Sequence, residues 1–347
     1  MSKTAVVLFN LGGPDRPEAV QPFLFNLFFD PAIIRLPLPL RWLLAKVISR
    51  RRAPVAREIY REMGGGSPLL PNTEAQAAAL TTALRENGLH DVRVFIAMRY
   101  WHPRARETAK QVAAFAPDKV VLLPLYPQFS TTTTDSSLKE WEREAQVAGL
   151  EAETRAVCCY PEESGFIDAV VAGLRSALRG IQGEMPPRVL FSAHGLPKKI
   201  VDQGDPYQWQ VEQSVAAVLR RLGEANLDWQ ICYQSRVGPL EWIGPATDSE
   251  IEKAGHEGRP VIVVPIAFVS EHSETLVELD IEYRRLAEIA GAPAYVRVPT
   301  VGTDAAFVAG LAALVAGAAA AGRPLCSQSG GRLCPAEWRG CPQAMAG

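Results

Sequence analysis

Apolar, β-rich runs recur along the chain, with helical stretches between them. The pattern predicts strands at residues 5–10, 92–98, 119–125, 153–159, 188–193, 228–233, 260–268 and 294–298. Several are unbroken β-branched runs, such as Val261-Ile262-Val263-Val264. Strands buried on both faces read this way, because neither face has to meet water. Between them apolar residues recur at spacings of three and four, as in 212–222, which follows the helix-starting Asp205-Pro206. Strand–helix alternation throughout implies an α/β fold with parallel sheets. The first four and last four strands form two sets of similar length. We therefore expect two Rossmann-like domains, at 1–160 and 161–303. Each would hold a four-stranded parallel sheet flanked by helices, with a ligand cleft between the domains. A C-terminal helix and a cysteine-containing extension would occupy 304–347.

With 347 residues, 48% hydrophobic and 21% charged, the chain is long enough for two packed cores. Its net charge of −2 offers no basic excess to neutralise phosphates, which argues against a nucleic-acid partner. The first residues run straight into an apolar strand without a cleavage site, so no signal peptide is expected and the thiols should stay reduced in the cytoplasm. Two stretches raise the question of a membrane. From Phe23 to Arg52 the chain is rich in Leu, Ile and Phe and ends in Lys46, Arg50, Arg51 and Arg52. Prolines at 31, 37 and 39 forbid a single spanning helix there. Two readings stay open: an interfacial segment with a basic flank, or a helical hairpin packed on the core. The second stretch, 305–322, is mostly alanine and glycine and reads as a buried terminal helix.

The strand ends carry the chemistry. The first is followed by Asn10-Leu11-Gly12-Gly13-Pro14, a tight turn that lacks the dinucleotide-binding glycine pattern. A second glycine turn, Gly64-Gly65-Gly66-Ser67-Pro68, lies further on. Arg99-Tyr100-Trp101-His102-Pro103 ends the second strand, where an arginine could hold an anionic substrate group. The fifth strand ends in Phe191-Ser192-Ala193-His194-Gly195-Leu196-Pro197. His194 there is either a cap of its own strand or a ligand-facing group, since ligands bind at the carboxyl ends of parallel strands. The seventh strand leads to Glu271-His272-Ser273-Glu274 and a helix on which Glu274, Glu278 and Glu282 recur every four residues. On an α-helix that spacing makes one acidic stripe. It is either a solvated face or, with His194, an oxygen and nitrogen donor set suited to Fe²⁺.

Taken together, FSAHGLP, SEHSETL and RYWHP resemble the ferrochelatase family, whose members insert iron into a porphyrin. The likeness runs from about Val6 into the cysteine tail. It includes NLGGP at 10–14, YREMGGGSP at 60–68, YPQFSTTTTDSS at 126–137, QSRVGPLEWIGP at 234–245 and VPIAFVSEHSETLVELDIEY at 264–283. The resemblance implies two Rossmann-like domains with a porphyrin cleft, and conversion of protoporphyrin IX and Fe²⁺ to haem with release of two protons. It implies that His194 and Glu274 form the catalytic pair on one macrocycle face, with Arg99 and Tyr100 at the other. Tyr60 and Ser67 match porphyrin-binding positions, and Trp242, Phe268, Glu271 and His272 match pocket-lining ones. Whether His194 accepts a pyrrole proton or ligates the metal stays open, with Glu278 and Glu282 leading protons or metal water away. Leu11 stands where members acting on coproporphyrin III carry tyrosine, and so favours protoporphyrin IX. A carrier on the same fold is the alternative class, but it would have no use for an acid–base pair.

Three of the six cysteines, Cys326, Cys334 and Cys341, fall in the last 22 residues as C-x7-C-x6-C. Some members hold a [2Fe–2S] cluster near the C-terminus, for which four thiolates are the usual ligands. The resemblance thus implies a cluster on these three and on Cys158, or its neighbour Cys159. It also implies a peripheral place at the inner membrane through the segment from Phe23 to Arg52, and a homodimer.

Overall fold

The computed structural model describes residues 3–181, 185–236 and 238–344. The chain divides into two compact units, the first made of residues 1–159 and 312–331, the second of 160–311 and 332–347. The first contains a five-stranded sheet in the order β2-β1-β3-β4-β9. Its strands are β1 (Thr4–Asn10), β2 (Val92–Met98), β3 (Lys119–Pro124), β4 (Glu153–Val157) and β9 (Leu325–Cys326). All pairings are parallel. The second contains a four-stranded parallel sheet in the order β6-β5-β7-β8. Its strands are β5 (Arg188–His194), β6 (Asp228–Gln234), β7 (Val261–Pro265) and β8 (Tyr295–Arg297).

All eight expected strands are present. The expectation of four strands per sheet holds for the second sheet and fails for the first. There β9 adds an edge through the pairs Ala156↔Leu325 and Val157↔Cys326. A two-residue strand is too short to display any hydrophobic period, so the pattern could not reveal it. The seventh strand is shorter than expected and ends at Pro265, which has no N–H to continue a ladder. The buried runs are where the pattern placed them: every residue of β1 and of β7 is buried.

Helices α1 (Val20–Phe29), α2 (Leu38–Glu62), α3 (Leu69–Glu86), α4 (Ala105–Phe115) and α5 (Thr134–Val147) belong to the first unit. Helices α6 (Ser164–Gly180), α7 (Lys198–Asp202), α8 (Tyr207–Leu222), α9 (Thr247–His256) and α10 (Tyr283–Ile289) belong to the second. Helix α8 contains the expected 212–222 and starts earlier, where the Asp205 carboxylate accepts the Tyr207 N–H at 3.0 Å. Helix α11 (Ala305–Ala320) buries Phe307, Leu311 and Val315, as a terminal core helix does.

The prolines between residues 23 and 52 act as breaks. Helix α1 stops before Pro31, and α2 starts at Leu38 with Pro39 in its first turn, where a missing N–H costs nothing. The two pack as a hairpin whose inner residues Val20, Phe23 and Leu24 join a cluster with Tyr60, Tyr100 and Trp101. Its far end is different. Ile33, Leu36, Leu38, Leu40, Trp42, Leu43, Leu44 and Val47 are all exposed. No helix of the described residues is long and apolar enough to cross a membrane.

Each sheet winds outward from its first strand. The chain goes from β1 to β2 on one side and then crosses to β3 on the other; likewise β5 leads to β6 and then to β7. The carboxyl ends of β1 and β3, and of β5 and β7, are therefore switch points, where the flanking connections part and leave a crevice.

Candidate active site

His194 is the last residue of β5, and Glu274 follows β7, so the two meet at the switch point of the second sheet. His194 Nδ1 lies 3.0 Å from Glu274 Oε2. The His194 carbonyl accepts the Tyr207 hydroxyl at 3.1 Å. The imidazole is therefore directed at the carboxylate and does not cap its own strand. With Nδ1–H donated to Glu274, the lone pair on Nε2 is left as a base. His272 Nε2 lies 3.4 Å from the same carboxylate oxygen, and its Nδ1 donates to the Ser270 carbonyl at 3.1 Å. Burial works against charge on the His194 ring, but the charge and hydrogen bond of Glu274, with Glu278 adding to them, raise its pKa above the ordinary imidazole value. Burial would likewise raise the Glu274 pKa. The charge and hydrogen bond of His194, followed by those of His272, reverse this and hold it well below the usual carboxylate range.

The remaining residues of this group lie in the same unit. The Phe268 and His272 rings are 4.8 Å apart and tilted by 50°. Trp242 packs on Gly195, where an added Cβ would fall 3.2 Å from the indole. Glu271 is engaged elsewhere, accepting from Arg297 at 2.5 Å and from the Thr300 N–H at 3.0 Å.

The helix that carries the acidic stripe is not the expected one. Residues Glu274–Glu282 form a π-helix and not the α-helix that the every-fourth spacing assumed. The wider i→i+5 turn still keeps positions four apart close to one face, and the Glu274 charge reaches Glu278, but the three carboxylates differ in their surroundings. Glu278 is partly buried and enclosed by donors. It accepts from the Ser235 N–H at 2.8 Å, the Ser235 hydroxyl at 2.5 Å, the Gln234 amide at 3.1 Å and the Tyr283 hydroxyl at 3.0 Å. Burial first, and then the Glu274 charge, raise its pKa. Glu282 is exposed. Glu278 is thus a clamp, and Glu282 a solvated side chain.

In the first unit, Arg99 and Tyr100 follow β2 but turn inward. The Arg99 guanidinium meets Asp30 at 2.8 Å and Glu140 at 3.1 Å, and its Nε donates to Ser136 at 2.8 Å. Tyr100 is buried and donates to Asp30 at 2.8 Å. Three of the Arg99 donors are thus directed at two buried carboxylates and a hydroxyl. Nothing local in the sequence marks Asp30, Ser136 and Glu140 as partners of a residue 37 or more positions away. Leu11 is half-buried; its carbonyl accepts the Tyr100 N–H at 2.9 Å. Tyr60 is buried at the end of α2. The two glycine turns pack together: a Cβ on Gly13 would fall 2.4 Å from Ser67 Oγ, and Ser67 N–H donates to the Pro14 carbonyl at 2.7 Å. Those glycines thus serve close backbone approach.

All six cysteines are buried. In the first unit Cys158 N–H donates to the Cys326 carbonyl at 2.8 Å across neighbouring strand ends, and Cys158 and Cys159 sulfurs are 3.6 Å apart. In the second, the hydrogen bond from Cys334, with Arg332 adding to it, brings the Cys341 thiol down to about 6 despite burial. Thiols are the donors an iron–sulfur cluster takes. Among the described residues, though, no group of three or more His, Cys, Asp or Glu side chains is arranged to hold a metal ion.

An imidazole and a carboxylate in hydrogen-bond contact at a parallel-sheet switch point define an α/β protein with an acid–base pair at its strand ends. The family model for ferrochelatase matches residues 3–319. The chain is 55% identical over 342 residues to the ferrochelatase of Caulobacter vibrioides strain NA1000, covering 98% of this chain and 97% of that one. It is 55% identical over 340 residues to that of Phenylobacterium zucineum, with the same two coverages. To that of Rickettsia bellii it is 47% identical over 342 residues, covering 98% and 94%. Among solved structures, SirB from Bacillus subtilis with Fe³⁺ is similar at a TM-score of 0.49 and 14% identity, covering 92% of this chain and 96% of that one. The chain belongs to the ferrochelatase family. The family match ends before Cys326.

The raised His194 pKa has a kinetic consequence. A base must be unprotonated to act, so kcat/KM falls as pH drops through the His194 pKa, and this acid limb should lie above the ordinary 6.5. Replacing Glu274 with Gln removes the charge that raises it and should move the limb down. Metal-insertion rates measured across pH 5.5–9 for both proteins check this; a limb at or below 6.5 in the wild type would contradict the assignment.

Proposed function

We propose that the chain inserts Fe²⁺ into protoporphyrin IX to give protohaem, with His194 as the acceptor of a pyrrole proton. The observation that carries this is the 3.0 Å contact between His194 Nδ1 and Glu274 Oε2 at the end of β5. Metallation must remove two N–H protons from a weak acid, leaving four nitrogens on the metal and two protons to dispose of. Glu274 holds His194 in the tautomer whose Nε2 is basic and then stabilises the imidazolium formed when a proton arrives. The half-exposed Leu11 is in keeping with protoporphyrin IX over coproporphyrin III. The acid–base pair disfavours a carrier. In anaerobic turnover of protoporphyrin IX with Fe²⁺, His194→Ala should lose about a hundredfold or more in rate while still binding porphyrin. Wild-type turnover in that variant would remove His194 from the chemistry. A wild type that binds porphyrin without metallating it would favour a carrier.

The hairpin supports a peripheral place at the inner face of the membrane. Eight exposed large apolar side chains between residues 33 and 47 stand beside Lys46, Arg50, Arg51 and Arg52. Binding to anionic vesicles should be strong in the wild type and lost in a Leu40→Glu, Leu43→Glu double variant, with turnover of detergent-dispersed porphyrin kept. Equal sedimentation of both proteins with vesicles would end this reading.

The buried thiol pairs support a [2Fe–2S] cluster ligated by Cys158, Cys326, Cys334 and Cys341. Its role would be structural, since Fe²⁺ insertion itself needs no electron from it. Anaerobically purified protein should show visible charge-transfer absorption and contain iron and acid-labile sulfide in equal amounts. Cys341→Ser should lose both. A colourless, sulfide-free protein from such a preparation would reject the cluster.

A further inference from the structure

The first residue of the motif at residues 234–245 hydrogen-bonds to the main chain at or beside both members of the acid–base pair. Gln234 is the last residue of β6 and pairs in register with His194 on β5. Its backbone carbonyl accepts the Gly195 N–H at 2.8 Å, which fixes the chain just beyond His194. Its side chain is fully buried, and both ends of the amide are used. Oε1 accepts from the Ser192 hydroxyl at 2.8 Å. Nε2 donates to the Glu274 backbone carbonyl at 3.0 Å and to the Glu278 carboxylate at 3.1 Å. Ser192 Oγ is in turn 2.9 Å from Thr247 Oγ1.

We infer that Gln234 is a positioning residue for the reaction: it ties the strand that carries His194 to the first turn of the π-helix that carries Glu274. The reason lies in the backbone. A π-helix is an uncommon conformation, and its first residues present carbonyls and N–H groups in a register that α-helical neighbours cannot enforce. Glu274 is the first residue of that helix, and Ser273 before it makes no side-chain cap. The Gln234 amide supplies an external hold on the Glu274 main chain. Glu278 keeps the amide in place from one side and Ser192 from the other. Glutamine suits this task because one group must both accept and donate, and a buried donor or acceptor left without its partner is costly. The inference rests on the assignment of His194 and Glu274 as the reacting pair.

Three variants test it. Gln234→Leu removes all three hydrogen bonds. Gln234→Glu keeps the size and the acceptor but sets a carboxylate against the Glu274 carbonyl and the Glu278 carboxylate. Ser192→Ala only frees the amide and is the mild variant should the others fail to fold. The readouts are protoporphyrin affinity, the number of porphyrin-binding sites per chain, and kcat per binding site with KM. We expect both Gln234 variants to lose about tenfold or more in kcat per site, with KM and porphyrin affinity kept within about twofold, and Ser192→Ala to lose about threefold. A residue needed only for folding would give fewer binding sites and a lower Tm with kcat per site unchanged, and that result overturns the inference. If wild type turns over, His194→Ala does not, and the Gln234 and Ser192 variants match wild type, the inference alone fails. If the wild type itself does not metallate porphyrin, the underlying reading fails.

Discussion

A half-exposed imidazole and a carboxylate 3.0 Å apart each keep the other charged, and much of the second unit is arranged around that contact. Its stabilising effect has two edges. The His194 pKa is raised, so the contribution of the protonated ring is complete below the ordinary imidazole value and fades as pH rises through the raised one. The Glu274 pKa is lowered, so its contribution is present above the ordinary carboxylate value and is lost only as pH falls through the lowered one. Between those edges the pair is both stable and chargeable. A base that accepts a proton and passes it on has to work at the upper edge, where the folding benefit of protonation is running out.

The first unit solves its charge problem differently. The Arg99 side chain is only 11% exposed and lies between Asp30 and Glu140, and Arg104 also reaches Glu140 at 2.6 Å. Buried charges are tolerated when their hydrogen-bonding directions are filled, and removing one partner leaves the others unpaired. Asp30 fills several of those directions at once. It accepts from Arg99, Tyr100 and Ser136, while its other oxygen accepts the Ala32 N–H at 2.9 Å. The base of the apolar hairpin is thereby fastened to the end of β2 by one carboxylate. The group is closed and rigid, whereas the His194–Glu274 pair keeps one nitrogen with its lone pair available.

Much of this was legible in the sequence because it is local. The runs in β1 and β7 are buried on both faces, and the strand-end histidine and the glutamate after β7 come together because parallel winding brings the ends of neighbouring strands to one crevice. What was not legible depends on partners distant in the chain or on a departure from ordinary geometry. Two residues of β9 carry no period. Asp30 is 69 residues from Arg99 and looks in sequence like any helix-ending aspartate. The stripe Glu274, Glu278, Glu282 was drawn on an α-helix, and a single-sequence pattern cannot report that the ladder widens to i→i+5.

Glu278 departs from its neighbours in the donors that surround it. A carboxylate that relays protons or water needs unengaged lone pairs and a wet side; Glu278 instead receives four donors, two of them from Ser235. Ser235 sits at a φ of 61°, a left-handed conformation that costs a non-glycine residue about 1 kcal/mol or more. Both its N–H and its hydroxyl are spent on Glu278, so the cost is met by the same carboxylate that holds the Gln234 amide. One clamp therefore secures a strained strand end, a π-helix and the main chain of Glu274. Burial and the Glu274 charge raise the Glu278 pKa, and its donors oppose them. A protonated Glu278 could donate its O–H to the Ser235 or Tyr283 hydroxyl while still accepting from the Ser235 N–H. Burial and the neighbouring Glu274 charge outweigh the donors, so Glu278 takes up a proton more readily than a solvated carboxylate does.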